Sequence, residues 1–236
     1  MSETATVRLT RDGDLFLLRM ADGENRFNPE LLRGISAALD EVEACSDDVA
    51  LVLTGTGKFY STGFDAELLG GPGAADLVDA SVALCARLLR FGVPTVAAVN
   101  GHAFGIGAMI ALSQDFRVAR ADRGYWGFPE LPLGYPMHPG MYGLLKLRIA
   151  PTPLQELLLS GRRVPGQELL GLGLADEVSD ETTLLDCASR RADNLRGRNR
   201  GLYAHVKREL NRECLALMEG ETDYRFSPVP VHPALK

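Results

Sequence analysis

The stretch Pro94-Thr95-Val96-Ala97-Ala98-Val99-Asn100-Gly101-His102-Ala103-Phe104-Gly105-Ile106-Gly107-Ala108-Met109-Ile110-Ala111-Leu112-Ser113-Gln114-Asp115 carries the alternation from which the fold is read. Thr95 to Val99 is a short apolar run, the signature of a strand covered on both faces. A glycine-bearing loop follows, then a helix of small residues over Gly105 to Leu112, then a second strand over Phe116 to Ala119. A strand, a helix and a strand at this spacing form a right-handed βαβ unit on a largely parallel sheet.

Moving outward, the alternation repeats. Toward the N-terminus, Ala50 to Thr54 reads as a buried strand and Ala80 to Leu89 as a helix. In Pro29 to Val42 the residues Leu31, Leu32, Ile35, Leu39 and Val42 recur at helical spacing, with Asn28 as cap and Pro29 at the first helical position. Leu15 to Met20 is a strand that ends at the polar turn Asp22-Gly23-Glu24-Asn25. Beyond Gly140 the pattern is mostly helical, with Pro153, Pro165 and Thr182 to Leu195 marking successive helices and a final helix expected over Leu202 to Met218. The tail from Glu219, with Pro228, Pro230 and Pro233, reads as extended or disordered rather than packed. The expectation is an α/β core domain over residues 1–195, followed by a C-terminal helical region and tail over 196–236.

Composition narrows the partners. A net charge of −6 without any clustered Lys/Arg stripe excludes nucleic acid as the main partner, because phosphate binding needs a concentrated basic face. No stretch approaches the length of a bilayer span. Cys45, Cys85, Cys187 and Cys214 show no C-x-x-C spacing, and His102, His138, His205 and His232 show no metal-ligand spacing, so no disulfide framework, zinc site or other metal is expected. Met1 to Thr10 lacks the basic start and apolar run of a signal peptide, and Ala234-Leu235-Lys236 has the wrong order for a peroxisomal tripeptide. The expected location is the cytoplasm.

Two loops and one carboxylate could carry chemistry. Thr54 to Asp65 and Asn100 to Ala108 are both glycine-rich and both follow strands, where parallel-sheet proteins hold ligands. Glycines at a strand-to-helix junction let backbone N–H groups approach a ligand, and a helix start favours an anionic oxygen. Two such loops could aim two N–H groups at one oxygen, although either loop alone also reads as a tight turn. A dinucleotide fingerprint is not formed, since its third small residue would fall at Ile110, and no G-x-S-x-G surrounds Ser61. In Gly127-Phe128-Pro129-Glu130-Leu131-Pro132-Leu133-Gly134 a carboxylate stands among apolar residues, where lost hydration would raise its pKa toward that of a useful base, although on its own it also reads as an ordinary surface loop glutamate.

Together these segments resemble the crotonase (enoyl-CoA hydratase/isomerase) family in order and spacing. Lys58 to Asp65 resembles its K-x-F-x-A-G-x-D loop, Pro94 to Asp115 its P-x-I-A-A-V-N-G-x-A-x-G-G-G-x-x-L-A-L-x-x-D stretch, and Phe128 to Gly134 its x-P-E-x-x-L-G. Glu156 to Arg162 and Ala175 to Val178 resemble later family segments, so the likeness spans about residues 7 to 200. It implies a crotonase-type spiral of ββα/βαβ units, a homotrimer or dimer of trimers, and an oxyanion hole for the carbonyl of an acyl-CoA thioester. Coenzyme A then belongs to the substrate, and no separate cofactor is implied.

By position, the resemblance gives the oxyanion N–H groups to Phe64 and Ile106 and the catalytic carboxylate to Glu130. It lays coenzyme A along Asn25, Arg26 and Phe27 and along Ser61, Thr62, Gly63 and Asp65, with Gly105 beside it and Arg26 as a phosphate partner. Family hydratases carry a second glutamate in the helix after the second loop, where this chain has Met109. The chain resembles in particular the short plant-type Δ3,Δ2-enoyl-CoA isomerases, which keep only the later glutamate. Thioester hydrolysis, decarboxylation, residual hydration and non-catalytic acyl-CoA binding are the alternative readings. Ala66 to Leu89, Trp126, Tyr135 and Met137 are the expected walls of the acyl pocket, and His138 reads as a helix-start residue.

Overall fold

The computed structural model describes residues 6–230. His232, Pro233 and the Ala234–Lys236 tripeptide lie outside the described residues, as does the start of the N-terminal segment. The chain runs β1 (Val7–Asp12), β2 (Leu15–Met20), α1 (Pro29–Ala44), β3 (Ala50–Thr54), β4 (Phe59–Ser61), α2 (Ala66–Leu69), α3 (Ala74–Arg90), β5 (Thr95–Val99), β6 (His102–Phe104), α4 (Ile106–Leu112), β7 (Phe116–Arg120), β8 (Tyr125–Gly127) and α5 (Glu130–Leu133). It continues through α6 (Pro139–Arg148), α7 (Pro151–Ser160), β9 (Val164–Pro165), a 3-10 turn at Gly166–Glu168, β10 (Glu177–Ser179), α8 (Leu184–Asp193), α9 (Arg200–Leu210) and α10 (Arg212–Glu219).

Three successive turns share one plan: β3 with β4, β5 with β6, and β7 with β8, each followed by helix. The first strand of each pair joins a six-stranded sheet ordered β1-β2-β3-β5-β7-β10, and the second joins a four-stranded sheet ordered β4-β6-β8-β9. Within the large sheet only β1 and β2 run antiparallel. The result is the spiral of ββα units expected of the crotonase fold. Strands β3 and β5 are buried along their whole length, which explains their unbroken apolar sequences: α8 covers one face through Leu184, Ala188 and Ala192, and the main core covers the other.

Local chemistry sets the element ends. Asn28 caps α1 by accepting a hydrogen bond from the Leu31 N–H at 2.8 Å, and Leu31, Leu32, Ile35, Leu39 and Val42 form its buried stripe. Helix α3 starts at Ala74, six residues before the sequence pattern places it, because Ala74, Leu77 and Val78 extend the buried face backwards. Pro165 opens no α-helix; it ends a two-residue strand and precedes a single 3-10 turn. The expected final helix is two helices broken at Asn211, whose carboxamide donates to the Leu89 carbonyl at 2.8 Å. Lys207 and Tyr203 bind Asp115 at 2.7 and 2.9 Å, tying α9 to the turn between α4 and β7.

The tail differs most from its reading. It is extended, yet Tyr224 and Phe226 pack against the core, and the Val229 N–H donates to Gly134. Three aromatic or backbone anchors outweigh the helix-breaking prolines. Among the described residues, no helix is long and apolar enough to cross a membrane.

Candidate active site

The first loop is held from beneath. Asn25 takes a left-handed conformation at φ 51°; its buried carboxamide donates to the Phe59 and Tyr60 carbonyls, and its side-chain oxygen accepts from the Asp22 N–H. Ser61 Oγ donates to the Asn25 carbonyl at 2.7 Å and accepts from the Gly63 N–H at 3.1 Å. Phe27 then pairs with Phe64 in a parallel bridge, donating to the Gly63 carbonyl and accepting from the Asp65 N–H. This pairing uses the groups on either side of Phe64, so the Phe64 N–H points the other way. Among the described residues it has no acceptor.

The second loop supplies a matching donor. Gly105 sits at φ 50°, ψ −126° and donates to the Gly127 carbonyl at 3.0 Å. Ile106 is the first residue of α4, so its N–H belongs to the helix's first turn and stays free of intrahelical partners. The two loops interlock at Gly107, where a Cβ would stand 2.6 Å from the Ser61 side chain and 2.8 Å from its carbonyl oxygen. Only hydrogen fits there.

Glu130 closes the arrangement. Its Oε1 lies 3.0 Å from where a Cβ on Gly105 would be, so the glycine admits the carboxylate to the edge of the second loop. Its Oε2 is shielded from solvent and has no hydrogen-bond partner among the described residues. Burial pushes the carboxyl up to about 7, opposed only by a weaker backbone hydrogen bond. A carboxylate of this kind is half ionised near neutral pH and can take up and release a proton.

A cavity of about 300 Å³ brings these groups together: Phe64, Gly105, Ile106 and Glu130 line it with Thr62 and Gly63. Its apolar walls are Leu69, Val78, Tyr135, Met137, Met141 and Phe226. At its exposed side, Glu24 accepts two hydrogen bonds from Arg26 and one from Thr62.

The residues expected from the sequence are placed differently around this cavity. Asn25, Phe27 and Ser61 are fully buried; their side chains hold the first loop and offer no surface to coenzyme A. Asp65 caps α2 by accepting from the Glu67 N–H and is not among the cavity residues. Arg26 lines the cavity, where it is half exposed, paired with Glu24 and close to Asp65 and Glu67. Trp126 is a core residue, whereas Tyr135 and Met137 are walls as expected. His138 caps α6 by accepting from the Gly140 N–H at 3.0 Å. Met109 is fully buried in the core and is not a cavity residue. Sequence reasoning missed Met141 and Phe226, the second because it falls in the proline-bearing tail.

Comparison with known proteins agrees with this geometry. The sequence profile of the enoyl-CoA hydratase/isomerase family matches residues 14–223. The Arabidopsis thaliana protein named "Enoyl-CoA delta isomerase 2, peroxisomal" is 34 % identical over 235 residues, which span 93 % of this chain and 98 % of that protein. "Enoyl-CoA delta isomerase 3" of the same plant is 31 % identical over 89 % of this chain and 94 % of its own length. Among solved structures, an apo enoyl-CoA isomerase from Mycobacterium tuberculosis superposes with a TM-score of 0.86 at 28 % identity, covering 92 % of this chain and 96 % of that one. With the spiral of ββα turns, the paired glycine loops and a family profile spanning nearly the whole sequence, the chain belongs to the enoyl-CoA hydratase/isomerase family.

Proposed function

We propose that the protein is a Δ3,Δ2-enoyl-CoA isomerase acting in fatty-acid β-oxidation. One observation carries the reading: among the described residues the cavity holds two carboxylates, of which Glu24 is tied to Arg26 and Thr62 while Glu130 lies unpaired at the edge of the second loop, and Met109, buried in the core, supplies none. The thioester carbonyl oxygen sits at the Phe64 and Ile106 N–H groups, which places C2 against Glu130. The ionised carboxylate removes a C2 proton, the negative charge moves onto the carbonyl oxygen, and the two donors stabilise the enolate. The protonated carboxyl then delivers the proton to C4, the double bond settles between C2 and C3, and Glu130 is ionised again. Hydration would also require a group to hold and deprotonate water, for which Met109 offers nothing.

The names of the two plant relatives support this reading. Thr62 and Gly63 extend the binding surface toward the pantetheine arm. The same proposal covers assembly and location. Leu202, Val206 and Leu210 recur at every fourth residue of α9 and are 61 %, 46 % and 72 % exposed, an apolar stripe that supports a trimer. Four free cysteines support a reducing compartment, in our reading the cytoplasm.

Side-by-side incubation with 3-enoyl-CoA and with 2-enoyl-CoA in water tests the function. The expected outcome is conversion of the first into the second with no build-up of 3-hydroxyacyl-CoA. Glu130→Gln should lower turnover by roughly 10²- to 10⁴-fold, the usual effect of removing a general base, while acyl-CoA still binds. Hydration as fast as isomerisation, or an unimpaired Glu130→Gln enzyme, overturns the proposal.

A further inference from the structure

The polypeptide after α10 follows the segment that links α5 to α6, and it holds that segment at nearly every residue. The Val229 N–H donates to the Gly134 carbonyl at 2.7 Å. The Phe226 ring stacks on Tyr135 with centroids 6.1 Å apart. The Tyr224 hydroxyl donates to the Pro136 carbonyl at 2.8 Å, and its ring meets the edge of His138 at 5.1 Å. Residues 224–229 thus run antiparallel to residues 134–138 as a strap, although neither stretch forms regular structure.

Phe226 is also a wall of the cavity that holds Glu130. Besides Glu130, the charged and polar lining comes from two places: Glu24 and Arg26 from the loop between β2 and α1, and Thr62 from the loop after β4. Leu69, Val78, Met137, Met141 and Phe226, with the Tyr135 ring, make the apolar lining. A hydrocarbon chain continuing past C4 and Glu130 finds its apolar surroundings there, and Phe226 is the one member of that wall supplied by the strap.

We infer that the strap sets acyl-chain length, with the Phe226 ring acting as the end-stop of the hydrocarbon cavity and Tyr224 and Val229 fixing its position. The substrate class is then a 3-enoyl-CoA whose chain ends at that ring, and longer chains are refused by contact with it. This inference rests on the proposed acyl-CoA site and assigns the strap a role that the chemistry at Glu130 does not require.

The test compares wild type with Phe226→Ala and, separately, with Val229→Pro, which removes the N–H donated to Gly134. Two readouts are taken with six-carbon and twelve-carbon chains: kcat/KM on the 3-enoyl-CoAs and the dissociation constants of the saturated acyl-CoAs by calorimetry. Each methylene newly buried raises affinity about fourfold, the fold-change of about 0.8 kcal/mol. Phe226→Ala should therefore shift the twelve-to-six ratio toward the longer chain by about tenfold or more in both readouts, and Val229→Pro should shift it the same way by less. An unchanged ratio, or an equal loss at both lengths, overturns the inference. A wild-type protein that binds both acyl-CoAs and isomerises neither 3-enoyl-CoA would instead break the proposed function, and the calorimetric ratio would still decide the role of Phe226.

Discussion

Helices α4 and α5 reach the same cavity and are built in opposite ways. All seven residues of α4 are buried, and only Ile106 and its backbone face the cavity. No residue of α5 is fully buried, and Leu131 and Leu133 are more than half exposed. Yet α5 carries the solvent-shielded carboxylate oxygen that lacks a partner. The contrast follows from what each must do in the proposed reaction. Two backbone donors stabilise an enolate only if they stay fixed in direction, which requires a frame packed on every side. A base that serves C2 and then C4 must swing between two carbons, and a carboxylate locked by hydrogen bonds could not.

The frame breaks with the largest effect at Gly107. An added methyl would overlap the Ser61 side chain and its backbone oxygen at once, and backbone cannot yield as a flexible side-chain end does. Gly107→Ala should push the two loops apart and misdirect at least one donor. Turnover should fall by roughly 10²- to 10³-fold, the effect of losing one such donor, and stability by about 1–3 kcal/mol from overpacking. Steady-state kinetics and a urea transition measure the two together. If Gly107→Ala lost stability while turnover stayed within a factor of a few, the donors would not depend on the interlock, and the contrast between the helices would fail.

The opposite outcome is expected on α5, where the carboxylate proposed as the base weakens the fold. Glu130 has its carboxyl raised to about 7 in the folded chain against an ordinary value of 4.5. Between those values the folded state holds a proton that the unfolded state has lost, so the residue makes the protein less stable as pH rises through that window. Glu130→Gln has no charge to bury. Its stability relative to wild type should grow from about pH 4.5 to pH 7 and level off above, reaching about 3 kcal/mol by pH 8 at 1.36 kcal/mol per unit. Paired thermal melts at pH 4.5 and pH 8 check this. A gap that is constant across pH, or that widens toward acid, shows that Glu130 is not held in a water-poor setting. The same ionisation should appear as kcat/KM rising through about pH 7.

How much of this could be read in the sequence depends on the length of each element. Strands β2, β3 and β5 and helix α1 are long enough to show a period, and the structure places them where Leu15–Met20, Ala50–Thr54, Thr95–Val99 and Asn28-Pro29 indicate. Strands β4, β6 and β8 have three residues each, too few to alternate visibly, so the whole second sheet was hidden. The glycines and the proline-bounded glutamate marked the two loops and Glu130, whereas Phe64 and Ile106 were reached only by position through the family resemblance. The buried roles of Asn25 and Ser61 were not, since a polar residue in a loop reads alike whether its partners are solvent or the backbone beneath it. The tail was misread for a related reason: prolines rule out helix, but packing through Tyr224 and Phe226 depends on a surface assembled from residues more than eighty positions earlier.

The smallest effect is expected at Met109, and it tests the contrast most narrowly. Met109 stands where family hydratases resemble one another in carrying a glutamate, one residue pair beyond the Gly107 interlock. It is fully buried within the main core and does not line the cavity. If it belongs to the frame alone, only its volume and apolar character matter. Met109→Leu conserves both, so stability should change by less than about 1.5 kcal/mol, and the kcat and KM for 3-enoyl-CoA should stay within about twofold. The substitution removes a flexible thioether while leaving the fold intact. A fall in kcat at unchanged stability would mean that Met109 reaches the reacting carbons. Helix α4 would then supply a side chain to the reaction as well as a backbone donor, and its division of labour with α5 would have to be redrawn.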